Sequence, residues 1–504
     1  MALSRRHFFY GSLLAGAVPR GGFGSTPSLK MMGFKSPNEK LNIASIGAGG
    51  KAASDIRGCS PTENIVALCD VDDKSAADIY KEFDKPPKYK DFRKMLDKEA
   101  ANIDAVIIAI PDHMHATAAM HCMERGKHVY VQKPLCRTVW EARQLNEAAA
   151  KYKVATQMGN QGYSNEGSRQ CAEMVWAGEI GNVTEVHAWT DRPMWPQGLT
   201  EIPKEDPVPA TLDWDNWLGI GNARPFTIGG QGYPTQYGNF YQPFNWRGFY
   251  DFGCGALGDM ACHILGAPNM ALKLGNPSSV ECIKKEGVSP FMFHKSSVIK
   301  FEFPARGSMP AVKLFWYDGQ KENPKVAGVP EGEVLGDLGR VTRPGQEEPQ
   351  GRGPGRGQGR GGARPDSPLI GPVFRYEEGA TYQPARVPDG SLFVGDKGML
   401  TTGTYGENTR LIPVAKMKDY RFPPPLLTRS PGHYRDWIRA CKGGDPACSN
   451  FSVAAPFVEW MLLGVIALRV EGKLEYDPAK MRITNNADAN KYLKPNFRKG
   501  WSFV

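Results

Sequence analysis

The sequence predicts two unlike halves: a doubly wound parallel α/β domain, then an α+β domain built on antiparallel strands. Three observations carry this. A Gly-rich turn, Gly47-Ala48-Gly49-Gly50-Lys51-Ala52, joins a short apolar run to helix-compatible residues. Across 41–157, strand-like runs alternate with helical patterns, as in successive βαβ units. Beyond about residue 160 the apolar period changes to two, as in 297–303 and 311–317, which suits a sheet with one solvated face.

In order, the candidate strands of the first half are 41–46, 64–69, 104–110, 128–131 and 154–157. The candidate helices are 50–58, 73–84, 91–99, 112–125 and 138–151. Val106 to Ile110 is continuously apolar, as a strand buried on both faces requires. Trp and Tyr then crowd 176–250. Segment 340–366 is repetitive in Gly, Arg, Pro and Gln and carries too little apolar surface to order itself. It reads as a flexible insertion, or alternatively as a polyanion-binding tract. Strand signals resume at Leu392-Phe393-Val394, and a helix over 452–471 is expected to pack back on the body. The expected division is a leader and linker over 1–35, a nucleotide domain over 38–160 and a substrate and oligomerisation domain over 161–504.

The chain has 504 residues, 41% apolar and 23% charged, which suits a globular protein with a real core. Its net charge of +9 is local. Residues 1–38 contribute +5, and 340–364, with six Arg and two Glu, contribute +4. The remainder is neutral, so composition offers no nucleic-acid surface on the folded body. Ser4-Arg5-Arg6-His7-Phe8-Phe9, an apolar stretch to Val18 and a small-residue cleavage site at Ala15-Gly16-Ala17 resemble a twin-arginine export signal. A periplasmic destination and the twin-arginine machinery as a partner are expected, a disordered basic tail being the bland alternative. The apolar run of about 11 residues is too short for a bilayer span of about 20, so no stable membrane anchor is expected. Ten Cys without a CxxC pair make structural zinc improbable. Cys441 and Cys448 flank a Gly-Gly-Asp-Pro turn and are candidates for a disulfide in an oxidising compartment.

The Gly-rich turn has the context that a dinucleotide fingerprint needs. Gly47 permits the tight turn, Gly49 admits a pyrophosphate and Ala52 keeps helix and strand close. Gly50 opens a helix whose free N–H groups favour phosphate. The second strand ends in Asp70, 21 residues beyond Gly49, where a carboxylate accepts from a ribose 2′-hydroxyl. That carboxylate, with Asp72 and Asp73, repels a 2′-phosphate, so NAD is expected rather than NADP.

At "IAIPDHMHATAA", "VYVQKPLCRTV" and "GALGDMACH" the sequence resembles the Gfo/Idh/MocA family of oxidoreductases, from about residue 40 to the C-terminus apart from 340–366. The resemblance implies an N-terminal Rossmann domain, a substrate domain with a large open, mostly antiparallel sheet, and a homo-oligomer. It implies a nicotinamide-dependent dehydrogenase acting on sugars or polyols. Lys133 matches the lysine of the family's Glu-Lys-Pro motif and so takes a catalytic role, with Lys133-Pro134 cis. Gln132 replaces the glutamate, leaving a neutral amide for the nicotinamide ribose. His115 and Pro111 fall near the cofactor, Asp112 reads as a helix N-cap and His113 as structural.

Asp259 and His263, at i and i+4, share a helix face. The family places them beside the substrate, His263 as general base and Asp259 binding hydroxyls and favouring the imidazolium. Such a pair can also chelate zinc, but no His-Glu-x-x-His accompanies it, so no metal is expected. Asn160 and Gln161 follow the last Rossmann strand as candidate sugar contacts. "FNWRGFYDFG" offers Trp246, Arg247 and Tyr250, for the sugar or for the core.

An exported enzyme meets little free NAD, so its cofactor has to stay bound and be recycled in place. The leading reading is an exported NAD-dependent dehydrogenase of a sugar or glycoside, oxidising a secondary hydroxyl such as that at C3. The second is a redox-neutral NAD-dependent glycoside hydrolase or lyase that oxidises its substrate transiently. The third is a non-catalytic sugar-binding module, against which the retention of Lys133, Asp259 and His263 argues.

Overall fold

The structure, a computed structural model, describes residues 35–36, 38–229, 233, 238–343, 373–385 and 389–504. The twin-arginine motif and residues 344–366 of the Gly/Arg tract lie outside the described residues.

Strands β1 (Asn42–Ile46), β2 (Asn64–Cys69), β3 (Lys88–Tyr89), β4 (Ala105–Ile108), β5 (His128–Val131) and β6 (Thr156–Met158) form one sheet in the order β3-β2-β1-β4-β5-β6. Every neighbouring pair is parallel. Helices α1 (Gly50–Cys59), α2 (Asp73–Glu82), α3 (Phe92–Glu99), α4 (Asp112–Glu124) and α5 (Val139–Tyr152) connect them. The order reverses between β1 and β4, which opens a crevice at the carboxyl ends of the strands. In register, Ile46 lies beside both Cys69 and Ile108, so Gly47, Asp70 and Ala109 emerge at one edge.

Caps set the helix starts. The Asp72 carboxylate accepts from Lys74 N at the head of α2, and Thr138 with Glu141 forms a capping box on α5. At α4 the cap residue is Pro111 and Asp112 lies in the first turn, one residue inside the expected place. The expected strand 104–110 stops at Ile108, because the Ala109 carbonyl is packed against Gly47. The two-residue β3 is too short to leave a periodic signal.

The second sheet has nine strands: β7 (Val183–Trp189), β8 (Ser279–Glu286), β9 (Ser296–Phe303), β10 (Val312–Asp318), β13 (Gly390–Gly395), β14 (Met399–Thr402), β15 (Arg410–Ile412), β16 (Leu474–Asp477) and β17 (Arg482–Ile483). The hairpin β11 (Leu338–Thr342) and β12 (Thr381–Pro384) stands apart. In the order β15-β14-β13-β7-β10-β9-β8-β16-β17 only β7 and β10 run parallel, so the sheet is large, open and mostly antiparallel. One face buries Val186, Ile299, Phe301, Leu314 and Trp316, while His187 stacks on Phe315 on the other. Residues 340–342 belong to β11 and pair with β12, so the start of the supposed insertion is strand.

Helices α6 (Glu166–Trp176), α7 (Trp214–Leu218), α8 (Gly255–Ile264), α9 (Gly266–Leu272), α10 (His433–Cys441) and α11 (Phe451–Ala467) complete the body. Helix α11 is apolar on nearly every face, which a helix affords only when neighbours surround it. It packs on α5, α8 and β8, and the Arg143–Glu459 ion pair, 2.6 Å, ties it to the Rossmann half. It ends four residues before the expected 471, where Leu468 caps it. Helix α10 returns to the far face of the Rossmann sheet, burying Trp437 and Cys441 against Leu41, Ile43 and Ile56. Cys441 and Cys448 are therefore both free thiols: Cys441 points into that cluster, and Cys448 Sγ lies 3.2 Å from Ser164 Oγ. Among the described residues no helix is long and apolar enough to cross a membrane.

The fully buried Leu463 of α11 is the sensitive position. Leu463→Ala is expected to cost about 2–5 kcal/mol of stability in urea unfolding. Val453→Ala, at a side chain 36% exposed on the same helix, is expected to stay within about 0.5 kcal/mol.

Candidate active site

The β1–α1 turn forms a cradle that side chains would fill. Gly47 sits at φ +95°, and a Cβ there would strike the Ala109 carbonyl. Gly50, at φ +53°, faces open space, whereas a Cβ on Gly49 would strike Ser75 of α2. Gly49 thus makes room for α2 as well as for a ligand. Ala52 is fully buried at the helix–strand contact. Helix α1 has no side-chain cap at its N-terminus, so its first N–H groups face the crevice. Asp70 holds the turn from below: Oδ2 accepts from Ala48 N (2.8 Å) and Gly49 N (3.1 Å), and Oδ1 from Asp72 N (3.0 Å). Burial pushes this carboxyl upward, and the three N–H donors oppose the shift. Open cradle, uncapped helix and acidic edge together fit a dinucleotide.

Two buried histidines flank the mouth of β4. His113 Nε2 lies 3.1 Å from the Leu218 carbonyl and 3.3 Å from that of Trp217, and burial takes its pKa down to about 3. It anchors the aromatic segment, the structural part expected of it. His115 sits between two carbonyls, Nδ1 at 2.7 Å from Pro134 O and Nε2 at 2.7 Å from Ile110 O. Both ring nitrogens thus face backbone carbonyls, and the neutral ring donates its single N–H to one of them. Burial lowers its pKa to about 4.

Beyond β5, Gln132 is buried and donates through Nε2 to Asp55 Oδ2 (2.8 Å), while its Oε1 lies 3.3 Å from Lys133 N. The Lys133-Pro134 peptide is cis. Lys133 Nζ donates to Asp259 Oδ1 (2.7 Å) and to the Asp259 carbonyl (2.9 Å). Arg247 Nε donates to the same Oδ1 at 3.0 Å. Arg247 is itself stacked 4.2 Å from the Phe244 ring and 4.3 Å from that of Trp246. Trp246, only 7% exposed, is therefore a platform for the guanidinium. Tyr250 lies away from this cluster, its ring 4.4 Å from the guanidinium of Arg469.

Burial pushes the Asp259 carboxyl up, but Lys133 and Arg247 outweigh it and hold the group ionised, well below the usual carboxylate range. The Asp259 carboxylate draws the His263 pKa upward, as expected of it, but does not offset burial and Lys133. Burial, reinforced by Lys133, drives His263 well below the usual histidine range and keeps it neutral, contrary to the expectation. Asp112, fully buried near Arg247 and Lys133, is raised by burial to about 7.

Several buried polar atoms near this cluster are unpaired. His263 Nδ1 is buried without a hydrogen-bond partner, and so are both side-chain polar atoms of the fully buried Asn160. Buried polar atoms are seldom left so, and here they mark where a ligand's hydroxyls would bond. Gln161 lies next to Asn160, half-buried. Sequence reasoning missed Tyr405, whose ring meets the His263 ring edge-on at 4.8 Å. Its hairpin is held by two carboxyl groups: Asp337 accepts from Thr404 N (2.9 Å) and Oγ1 (2.6 Å), and Glu407 accepts from Tyr405 N (2.6 Å). Nothing in the local sequence of β14–β15 signals this contact.

The model of the Gfo/Idh/MocA family, described as "Oxidoreductase family, NAD-binding Rossmann fold", matches residues 41–160. The first domain is accordingly an NAD-binding Rossmann domain, and NAD is its cofactor. Among curated proteins, a "Glycosyl hydrolase family 109 protein" of Solibacter usitatus (strain Ellin6076) is 29% identical over 177 residues, 32% of this chain and 39% of its own. An "Inositol 2-dehydrogenase" of Serratia proteamaculans (strain 568) is 28% identical over 183 residues, 35% of this chain and 54% of its own. The chain thus spans only about two fifths to one half of these relatives' length. The solved WlbA dehydrogenase from Bordetella pertussis, in complex with NADH and UDP-GlcNAcA, shares the fold with a TM-score of 0.52 at 13% identity, over 87% of this chain and 99% of its own.

Burial, with Asp337 beside it, raises the Glu407 carboxyl above its ordinary 4.5. A raised carboxyl stabilises the fold below that ordinary value, and the contribution is lost as pH climbs through the raised one. The wild-type melting temperature is expected to fall between pH 5 and 8 more than that of Glu407→Gln, read by a thermal shift series.

Proposed function

We propose that this protein is an NAD-dependent oxidoreductase acting on a secondary hydroxyl of a sugar or glycoside. The observation that carries the reading is the Lys133–Asp259–Arg247 ion cluster beside a neutral His263 with an unpaired ring nitrogen. Bound NAD would supply the hydride acceptor, and the rest of the step falls to the chain itself. His263 accepts the hydroxyl proton. Lys133 and Arg247 stabilise the negative charge that develops on the carbinol oxygen as the C–H bond breaks and the carbonyl forms. Asp259 stays ionised and orients both cations. Asn160 bonds neighbouring hydroxyls, and Tyr405 offers its ring beside His263.

A retained cofactor has support in the aromatic segment that crosses the crevice. Asp213 N donates to Val71 O (2.8 Å), and Asp73 N to Thr211 O (3.1 Å), just beyond Asp70. A few residues on, His113 holds Trp217 and Leu218 at the mouth of β4. The strap therefore bridges the loops after β2 and β4, between which the adenosine half of a dinucleotide lies. The twin-arginine motif completes the proposal: the protein folds around NAD and is exported to the periplasm with it.

A redox-neutral glycosidase is the second reading, favoured by the "Glycosyl hydrolase family 109 protein" among the relatives. The same cluster serves both, because a transient carbonyl acidifies the adjacent C–H for elimination.

The test is nicotinamide absorbance of purified protein, with no NAD added, on mixing with sugars and glycosides. A rise of about one equivalent supports the dehydrogenase, and aglycone release without net reduction supports the second reading. Lys133→Ala is expected to lower turnover by a factor of about 10² or more, and unchanged turnover would refute its role. His113→Ala is expected to lose NAD on gel filtration that the wild type retains.

A further inference from the structure

We propose that a cleft at the junction of the Rossmann domain, the aromatic segment and the C-terminal tail binds a small oxyanion, the carboxylate or phosphate of a sugar-sized molecule. The cleft holds about 500 Å³. Two arginines line it, Arg137 just before α5 and Arg469 just beyond α11. The Arg469 guanidinium lies 4.4 Å from the ring of Tyr250 and 3.9 Å from that of Tyr492. Those rings fix its position but take none of its hydrogen bonds. Among the described residues the guanidinium makes no hydrogen bond and no ion pair. Arg137 donates through Nη1 to the Tyr250 carbonyl (2.9 Å), and its Nε is buried without a partner.

Two acids lie nearby and are only partly committed: Asp251 lines the cleft, and Glu141 keeps its Oε1 buried without a partner. Glu141 Oε2 accepts from Thr138 N and Oγ1 (both 2.8 Å) and from Arg137 N (3.2 Å) in the cap of α5. Asp251 pairs with Arg224 and accepts from Asn222 (3.3 Å). The two arginines also disfavour each other: burial first, then Arg137, lowers the Arg469 pKa. An oriented guanidinium with its donors unpaired is the chemistry that holds a carboxylate or phosphate by two parallel bonds. Exposed Lys491 and Lys494 at the rim add positive charge, and the volume exceeds what inorganic phosphate fills. The site is separate from the nucleotide cradle and from the Asp259 cluster.

The experiment is calorimetric titration of the full-length, NAD-loaded protein, so that the pyrophosphate cradle is filled. The titrants are inorganic phosphate, glucuronate and glucose at matched ionic strength. Phosphate or glucuronate is expected to bind at millimolar concentration or better, and glucose not to. Phosphate binding alone identifies free phosphate as the ligand, and tighter glucuronate binding identifies an acidic sugar. Arg469→Gln is expected to weaken the anion at least tenfold. Should that variant fold poorly, Lys494→Glu at the exposed rim is expected to weaken it several-fold. Absence of anion binding, or affinity untouched by a folded Arg469 or Lys494 variant, would overturn the proposal.

Discussion

The carboxylate of Asp259 receives two cations from different parts of the chain, Lys133 from the Rossmann loop after β5 and Arg247 from the aromatic segment ahead of α8. Each side chain in this cluster is less than one fifth exposed. Removing the carboxylate would leave two nearly buried cations facing each other, a change that costs about 3–5 kcal/mol when a buried partner is lost. The domains are therefore joined at this ion cluster, and the join sets its electrostatics. Asp259 draws the His263 pKa upward, but burial and Lys133 outweigh it and His263 stays neutral.

The aromatic segment meets a second constraint. A dinucleotide crevice is open to water by construction, since its ligand enters at the carboxyl edge of the sheet. Here Trp217, Phe240, Tyr241, Phe249 and Phe252 form their own buried cluster, stiff enough to hold a strap across that edge. Its attachments to the Rossmann domain combine backbone hydrogen bonds with the side chains of Lys90, His113 and Arg137, each meeting a carbonyl of the segment.

Much of the first domain was legible because its signals are local. A parallel strand buried on both faces is continuously apolar, a helix cap is one residue, and a tight turn needs glycine where φ is positive. Val106 to Ile108 and Gly47 carry such signals, and the cap read at Asp112 falls one residue away, at Pro111. Features set by distant contacts were not legible. The i, i+4 spacing put Asp259 and His263 on one helix face, but it could not show that Arg247 and Lys133 would claim the carboxylate. Trp246 read equally well as a sugar platform or as core, and only its contact with Arg247 separates the two. Tyr405 left no trace at all, because its partner His263 lies far away in the chain.

By itself, the sequence determined the Rossmann order, the Gly-rich cradle, the acidic end of β2 and the change to period-two strands, since each depends on residues within a few positions of one another. Tertiary structure decided that Cys441 and Cys448 stay apart, that Asp70 braces the turn, that His263 is neutral and that Arg469 has unpaired donors. In each case the deciding quantity is which groups share a small, poorly hydrated volume. Chain folding sets that, and no local spacing encodes it.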